Sequence, residues 1–397
     1  MLITARRVLT GSGTYLEDGA VLVEGDSITE VGPRTQLADR ADGTPLAFPD
    51  ATVVPGLIDA HVHLAFDGGG EPVATLAESS DERLLQDMRR RAEQLLSSGV
   101  TTVRDLGDRG GLAFRLDEEI SRGGTPGPRI VAAGTPATPP GGHCYFLGGE
   151  VSGVAEVRDL VRRNLAAGAG VIKAMVTGGG LTKDGPKSWQ SQFSTEELHA
   201  LVDEAHQAGV PVAAHAHGTD GIAAAVDAGV DTIEHCTWMT ADGFDLRRDI
   251  LKKIIDQGIV VCPAVSPHWQ MLPKFFGEER AAAMFALVRE MAEAGAKLVA
   301  GTDAGVQRAG FDGLVPALAF YKHLGLPNSR ILDMATADAA GALGLGGKTG
   351  RIAPGLLADL LVVDGDPLDD LSTLRQIRTV IAAGRVHEPD SPAQKEQ

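Results

Sequence analysis

The chain has 397 residues, with 36 Lys and Arg against 53 Asp and Glu, a formal net charge of −17. That balance argues against a nucleic-acid partner, which needs a basic patch, because no basic run exceeds Arg89-Arg90-Arg91 and that run falls in a helical pattern expected on a solvated face. No stretch approaches 18 uninterrupted apolar residues, so no membrane partner is expected. Cys144, Cys236 and Cys262 are too few for a disulfide framework, and MLITARRVLTGSG reads as a strand and not a signal segment, so a cytoplasmic setting is expected. The 50 glycines, about one residue in eight against the usual ~7 %, have no collagen period and call for many tight turns.

In chain order, the first fifty-odd residues alternate apolar and polar side chains between Gly, Asp and Pro, and predict short strands. Eight candidate strands follow, at 56–64, 101–106, 129–134, 171–177, 210–216, 230–236, 259–263 and 297–302. Most are preceded by a helix-like run ending in glycine, as in LLSSGV, EAHQAGV, AVDAGV and IIDQGI, where glycine caps the helix before the next strand. Ser194 with Glu197 forms a capping-box pattern ahead of an apolar stripe of Leu198, Leu201, Val202 and Ala205. Residues 350–397 return to short β runs. Eight strand–helix units suit a (β/α)8 TIM barrel, in residues 56–349, better than an open sheet, which would want a dinucleotide fingerprint after its first strand. Residues 1–55 and 350–397 are expected to meet as one small β-sandwich domain into which the barrel is inserted.

The histidines matter by position. His61 and His63 end the first barrel strand, and period-two alternation aims both at the same face. Lys173 lies within the apolar run VIKAMV of the fourth strand, where an ammonium is costly to bury. Either it snorkels or pairs with an acid, or it is deprotonated and serves as a Schiff base or a carbamate. His215 ends the fifth strand with His217 two residues on, His235 ends the sixth, and Asp303 ends the eighth. Five strands thus place a ligand-type residue at one end, a coincidence that core histidines do not explain.

On the motifs PGLIDAHVHL, TTVRDLG, VIKAMVTGG, VAAHAHG, IEHC, AGTDAG and GRIAPGLLADLLVVDGDPL, the chain resembles the amidohydrolase superfamily of metal-dependent hydrolases over nearly its whole length. It is most similar to the branch of imidazolonepropionase-like proteins and cytoplasmic Xaa-Pro and Xaa-Arg/Lys dipeptidases. The resemblance implies two Zn²⁺ per chain, one held by His61, His63 and Asp303, the other by His215 and His235, with carboxylated Lys173 bridging both. It implies hydrolysis of an amide bond in a dipeptide, an N-acyl amino acid or a related carboxamide or carbamate, by attack of a metal-bridging hydroxide with Asp303 as proton shuttle. It also implies a small-molecule substrate and assembly as a homo-oligomer. His143, in PPGGHCYF, falls where the family carries a substrate-contacting histidine, so it is expected either to contact the substrate or to be structural. His217 and Tyr145 are further candidates for substrate contact. The loop 178–194 is expected to act as a lid or specificity loop.

Competing readings are a mononuclear deaminase or cyclic-amidine hydrolase, which would not use Lys173, a Schiff-base aldolase, which would not use the histidines, and a non-catalytic scaffold, which would have lost ligands. Cys236 is expected to point away from the lumen by alternation. The sequence GGKT at 346–349 lacks the glycine and the strand of a phosphate loop and predicts a turn. Asp105 is expected to tie down a loop.

Overall fold

The structure, a computed structural model, describes residues 1–11, 13–40 and 43–388. The N-terminal segment forms strands β1 (Leu2–Gly11), β2 (Thr14–Glu24), β3 (Ser27–Pro33) and β4 (Leu46–Pro55). Eight strands follow: β5 (Leu57–Val62), β6 (Val100–Asp105), β7 (Arg129–Ala132), β8 (Ile172–Met175), β9 (Val212–Gly218), β10 (Thr232–Met239), β11 (Val260–Cys262) and β12 (Lys297–Leu298). All eight fall on the predicted segments. The chain ends in β13 (Leu360–Asp364), β14 (Ile377–Ala382) and β15 (Arg385–His387). The expected terminal unit extends to residue 397, and residues 389–397 lie outside the described residues.

The terminal strands join in one seven-stranded mixed sheet of order β15-β14-β13-β4-β1-β2-β3, the C-terminal strands entering by the antiparallel pair β13–β4. Ile3, Val8, Val21, Ile28, Val53, Leu360, Val362 and Ile381 share one apolar cluster, so strands far apart in sequence bury a common face.

β5–β6–β7 and β8 to β12 form two sheets whose neighbours pair in parallel. Backbone bonds link the sheets at both edges. Gly170 donates to Ala132 (3.1 Å) and Ala137 to Lys173 (2.8 Å), while Ala60 donates to Ala300 (3.0 Å) and Asp303 to His61 (2.9 Å). These strands are buried on both faces, which is why they read as nearly continuous Val, Ile and Ala runs. A helix follows each strand, and the segment Thr195–Gln207 shows why these form. Ser194 accepts from the Glu197 N–H while the Glu197 carboxylate accepts from the Ser194 N–H, and the predicted apolar stripe is buried. Gly229 ends the next helix at φ 81°, which a side-chain-bearing residue adopts only under strain.

One charged run departs from expectation. Arg89 pairs with Glu119 and Arg90 with Asp87, but Arg91 is only 9 % exposed and donates to the Leu64 carbonyl at 2.7 Å. Burial pulls its guanidinium down to about 10. Among the described residues no helix is long and apolar enough to cross a membrane.

Candidate metal centre

At the C-terminal ends of the central strands, three potential ligand atoms converge. His61 Nε2 lies 3.3 Å from His63 Nε2, and Asp303 Oδ1 lies 3.3 Å from the first and 3.4 Å from the second. Burial pushes the Asp303 carboxyl up, but the imidazoles of His61, His63 and His235 hold it well below the usual range. A second set brings together His215, His217 and His235 within 4.8 Å. The His215 and His235 rings lie 4.8 Å apart, and His217 stacks on His235 at 4.5 Å. Burial, reinforced by neighbouring imidazoles, depresses His215 and His235 far below the ordinary value, and burial takes His217 down to about 4. Neutral imidazoles are the metal-binding form.

Lys173 is 1 % exposed, and its Nζ has no hydrogen-bond partner among the described residues. Its charge acts on imidazoles of both sets, His61 in the first and His215 and His235 in the second. Burial lowers its own pKa although Glu234 opposes this, so the amine tends toward its neutral form. Asp303 Oδ1 is likewise buried without a hydrogen bond. Two orphaned polar atoms beside these two histidine sets are not a satisfied polar core, since buried polar groups ordinarily find partners. Nitrogen and carboxylate donors grouped this way fit divalent metals of the zinc type.

Buried groups behind the candidate ligands orient them. His61 Nδ1 lies 2.9 Å from Glu234 Oε2, and Glu234 Oε1 accepts from Arg104 (2.7 Å) and Thr232 (2.7 Å). Burial pushes Glu234 up, but Arg104 and His61 hold it well below the usual range. His63 Nδ1 lies 3.2 Å from the Gly107 carbonyl, and the His215 Nε2 lies 3.1 Å from that of Gly178. Leu64, next to His63, donates to Asp105 Oδ2 and accepts from Arg91, so Asp105 ties down the loop as expected. Asp59 accepts from Thr302 Oγ1 at 2.6 Å and holds β5 to the Asp303 loop.

The family model described as "Amidohydrolase family" matches residues 52–387. The chain belongs to the amidohydrolase family. It is 27 % identical to ochratoxinase of Aspergillus niger over 419 residues, covering 96 % of this chain and 84 % of the relative. It is 26 % identical to imidazolonepropionase of Paracoccus denitrificans over 385 residues, 89 % of this chain and 90 % of the relative. The structure of a Xaa-Pro dipeptidase with bound methionine superposes with a TM-score of 0.84 at 29 % identity, covering 98 % of this chain and 99 % of that one. The likeness implies a TIM-barrel-containing α/β fold.

The other predicted residues of this amidohydrolase distribute as follows. His143 is buried, its ring 4.6 Å from His215, and burial with the charges of His217 and Lys173 takes it down to about 3. A Cβ on Gly179 would stand 2.4 Å from His143 Nε2, so only glycine lets the loop 178–194 press on that ring. The loop is tied in place: Gln192 accepts from the His143 N–H (2.7 Å) and donates to the Met175 and Thr177 carbonyls, while Thr182 accepts from the Cys144 N–H. Tyr145 is 43 % exposed and meets Phe146 edge-to-face, outside both histidine sets. Cys236 is buried in the core, and Thr349 of GGKT bonds Asp359 within a turn region.

Sequence reasoning passed over Glu234, Arg104, Asp59, Thr182 and Gln192. The signal for the first two was available: charged residues inside the otherwise apolar strands VDTIEHC and TTVRDL. Alternation argued against Glu234, because it should face away from its neighbour His235. The structure evades this by giving His235 a φ of +69°, so consecutive residues both serve the site. Asp303 takes the same left-handed conformation at +59°. Such strain is sustained where the surroundings over-determine it, as at functional sites.

Proposed function

We propose that this chain is a binuclear zinc hydrolase that cleaves the amide bond of a dipeptide, an N-acyl amino acid or a related carboxamide or carbamate. The observation that carries the reading is the buried Lys173 Nζ, without a hydrogen-bond partner among the described residues and within electrostatic reach of histidines of both sets. In this reading His61, His63 and Asp303 would hold one ion, His215 and His235 the other, and Lys173, carboxylated by addition of its neutral amine to CO2, would supply a further carboxylate ligand. When bound, the ions would ionise water near neutral pH and polarise the scissile carbonyl.

Asp303 accepts the proton of the attacking water and returns it to the leaving nitrogen, as general base then general acid. Its side chain suits this, with Oδ1 buried against His61 and His63 and 22 % of its surface open to the mouth. His143, neutral and braced by Gly179 and Thr182, orients the carbonyl. His217 and Tyr145 contact the substrate beyond it. The methionine held by the Xaa-Pro dipeptidase supports an amino-acid product.

The eight strands are read as one barrel, residues 56–349, inserted in a β-sandwich unit of residues 1–55 and 350–397; the bonds linking the parallel sheets and the shared apolar cluster of the terminal strands support this. A cytoplasmic homo-oligomer completes the reading, and three buried free cysteines agree with a reducing compartment.

Metal analysis of the purified protein is expected to return about two zinc ions per chain. Lys173→Ala should lose most of the metal and the amidase activity, with partial recovery on adding short carboxylic acids. A variant that keeps both ions would remove the bridge, and about one ion in the parent chain would favour a mononuclear deaminase.

A further inference from the structure

Beside His217 and His235 lies a cavity of about 190 Å³. Its outer wall is the helix Glu278–Glu293, in which only Ala281 and Met291 are buried. The larger apolar side chains of that helix, Met284, Phe285, Leu287 and Val288, are half-buried and line the cavity; Phe285, Leu287 and Val288 pack on the core at one side and border the open space at the other. The facing wall is Trp269 and Phe320, both buried, with ring centroids 5.6 Å apart. Phe285 closes the triangle at 6.0 Å from Trp269 and 5.1 Å from Phe320. In a chain with only 4 % aromatic residues, three rings gather at the one wall that adjoins the histidines. No Asp, Glu, Lys or Arg side chain is among the cavity-lining residues, and the polar groups there are the two imidazoles at one end and the small side chains of Thr237, Cys236 and Ser266.

A dry apolar cavity of about 150 Å³ takes up benzene, so this one has room for a single ring or a branched aliphatic group. A charged group placed there would lose its hydration without gaining a counter-ion. We infer that this cavity binds one side of the scissile amide, and that this side is an uncharged aromatic or branched aliphatic group about the size of a phenylalanine side chain. The inference rests on the hydrolase reading for the word amide, but the ligand chemistry rests on the cavity alone. The substrate class narrows accordingly: any carboxylate or amine of the substrate projects toward the mouth and not into this wall.

Two measurements test it on the zinc-loaded full chain. The first compares kcat/KM for dipeptides in which glycine is paired, in either order, with Phe, Leu, Asp or Lys. The Phe and Leu members should exceed the Asp and Lys members by at least about tenfold, the lower end of what an apolar pocket discriminates. The second measures binding of indole, a non-hydrolysable apolar probe, by calorimetry. Val288→Phe, which fills the cavity, should weaken indole binding at least about tenfold and shrink the Phe-over-Asp preference, while Phe285→Leu, which enlarges it, should shift the preference toward bulkier groups. Circular dichroism verifies that each variant is folded. Equal cleavage of charged and apolar members, or a folded Val288→Phe variant with unchanged indole affinity and preference, overturns the inference. Indole binding that Val288→Phe abolishes, with no dipeptide, N-acyl amino acid or carbamate cleaved, leaves the cavity's ligand class standing and overturns the hydrolase reading.

Discussion

Glu234 carries more of the site than its neighbour His235 would suggest. Its two oxygens join His61 to Arg104, so it both fixes the His61 tautomer and neutralises a buried guanidinium. A carboxylate behind a ligating histidine raises its basicity and locks its ring. Glu234→Gln is therefore expected to weaken metal affinity by about ten- to a hundredfold, measured by zinc titration against a competing chelator. Unchanged affinity would mean that Glu234 serves Arg104 alone. At this scale the sequence exposed the ligand types but not their supports. His61, His63, His215 and Asp303 stand out as polar residues toward strand ends, and Lys173 as a charged residue within an apolar strand. Arg91 does not, because whether a charged residue in a helix is solvated depends on what the chain brings against it, and Glu234 shows only as a charge in an apolar strand, with alternation aiming it away from His235.

The secondary elements were largely legible. The helix Thr195–Gln207 begins where Ser194 and Glu197 complete their reciprocal bonds, both residues being local in sequence. Ser194→Ala should cost about 1 kcal/mol, read as a lowered denaturation midpoint, with metal content unchanged. A loss much below that would mean that packing of the Leu198, Leu201 and Val202 face alone holds the helix start. Strand β10 shows the limit of local reading. Its pattern predicts strict alternation, yet His235, Cys236 and Trp238 adopt positive φ and the backbone turns where the site needs it. Alternation predicts side-chain direction only while the strand stays extended. Likewise the loop 178–194, expected to act as a lid or specificity loop, is strapped to β8 by Gln192 and braces His143 through Thr182.

Across the whole molecule, Asp359 joins the terminal sheet to the foot of the central strands. Its carboxylate, 1 % exposed, accepts from Arg129 (2.9 Å), Thr349 (2.7 Å) and the Ala383 N–H (2.8 Å), while its carbonyl accepts from Gly56 at the start of β5. Asp359→Ala leaves Arg129 and two further donors unpaired and is expected to destabilise the fold by about 3 kcal/mol, measured by chemical denaturation. The histidine sets lie at the opposite strand ends, so zinc content per chain should hold; a parallel loss of metal would show that the two ends of the molecule are coupled. Nothing in GLLADLLVVDG marks this role, because the side-chain partners of its carboxylate are 10 and 230 residues away.

By itself, the sequence determined the strand–helix alternation, the glycine-capped helix ends and the placing of ligand-type residues at one end of several strands. These depend on periodicity and on capping between residues a few positions apart. The tertiary structure decided which of those residues meet, which buried charges stand behind them, and that an apolar cavity adjoins His217 and His235. Those outcomes depend on contacts between distant segments and on local departures from regular backbone, which no pattern along the chain encodes.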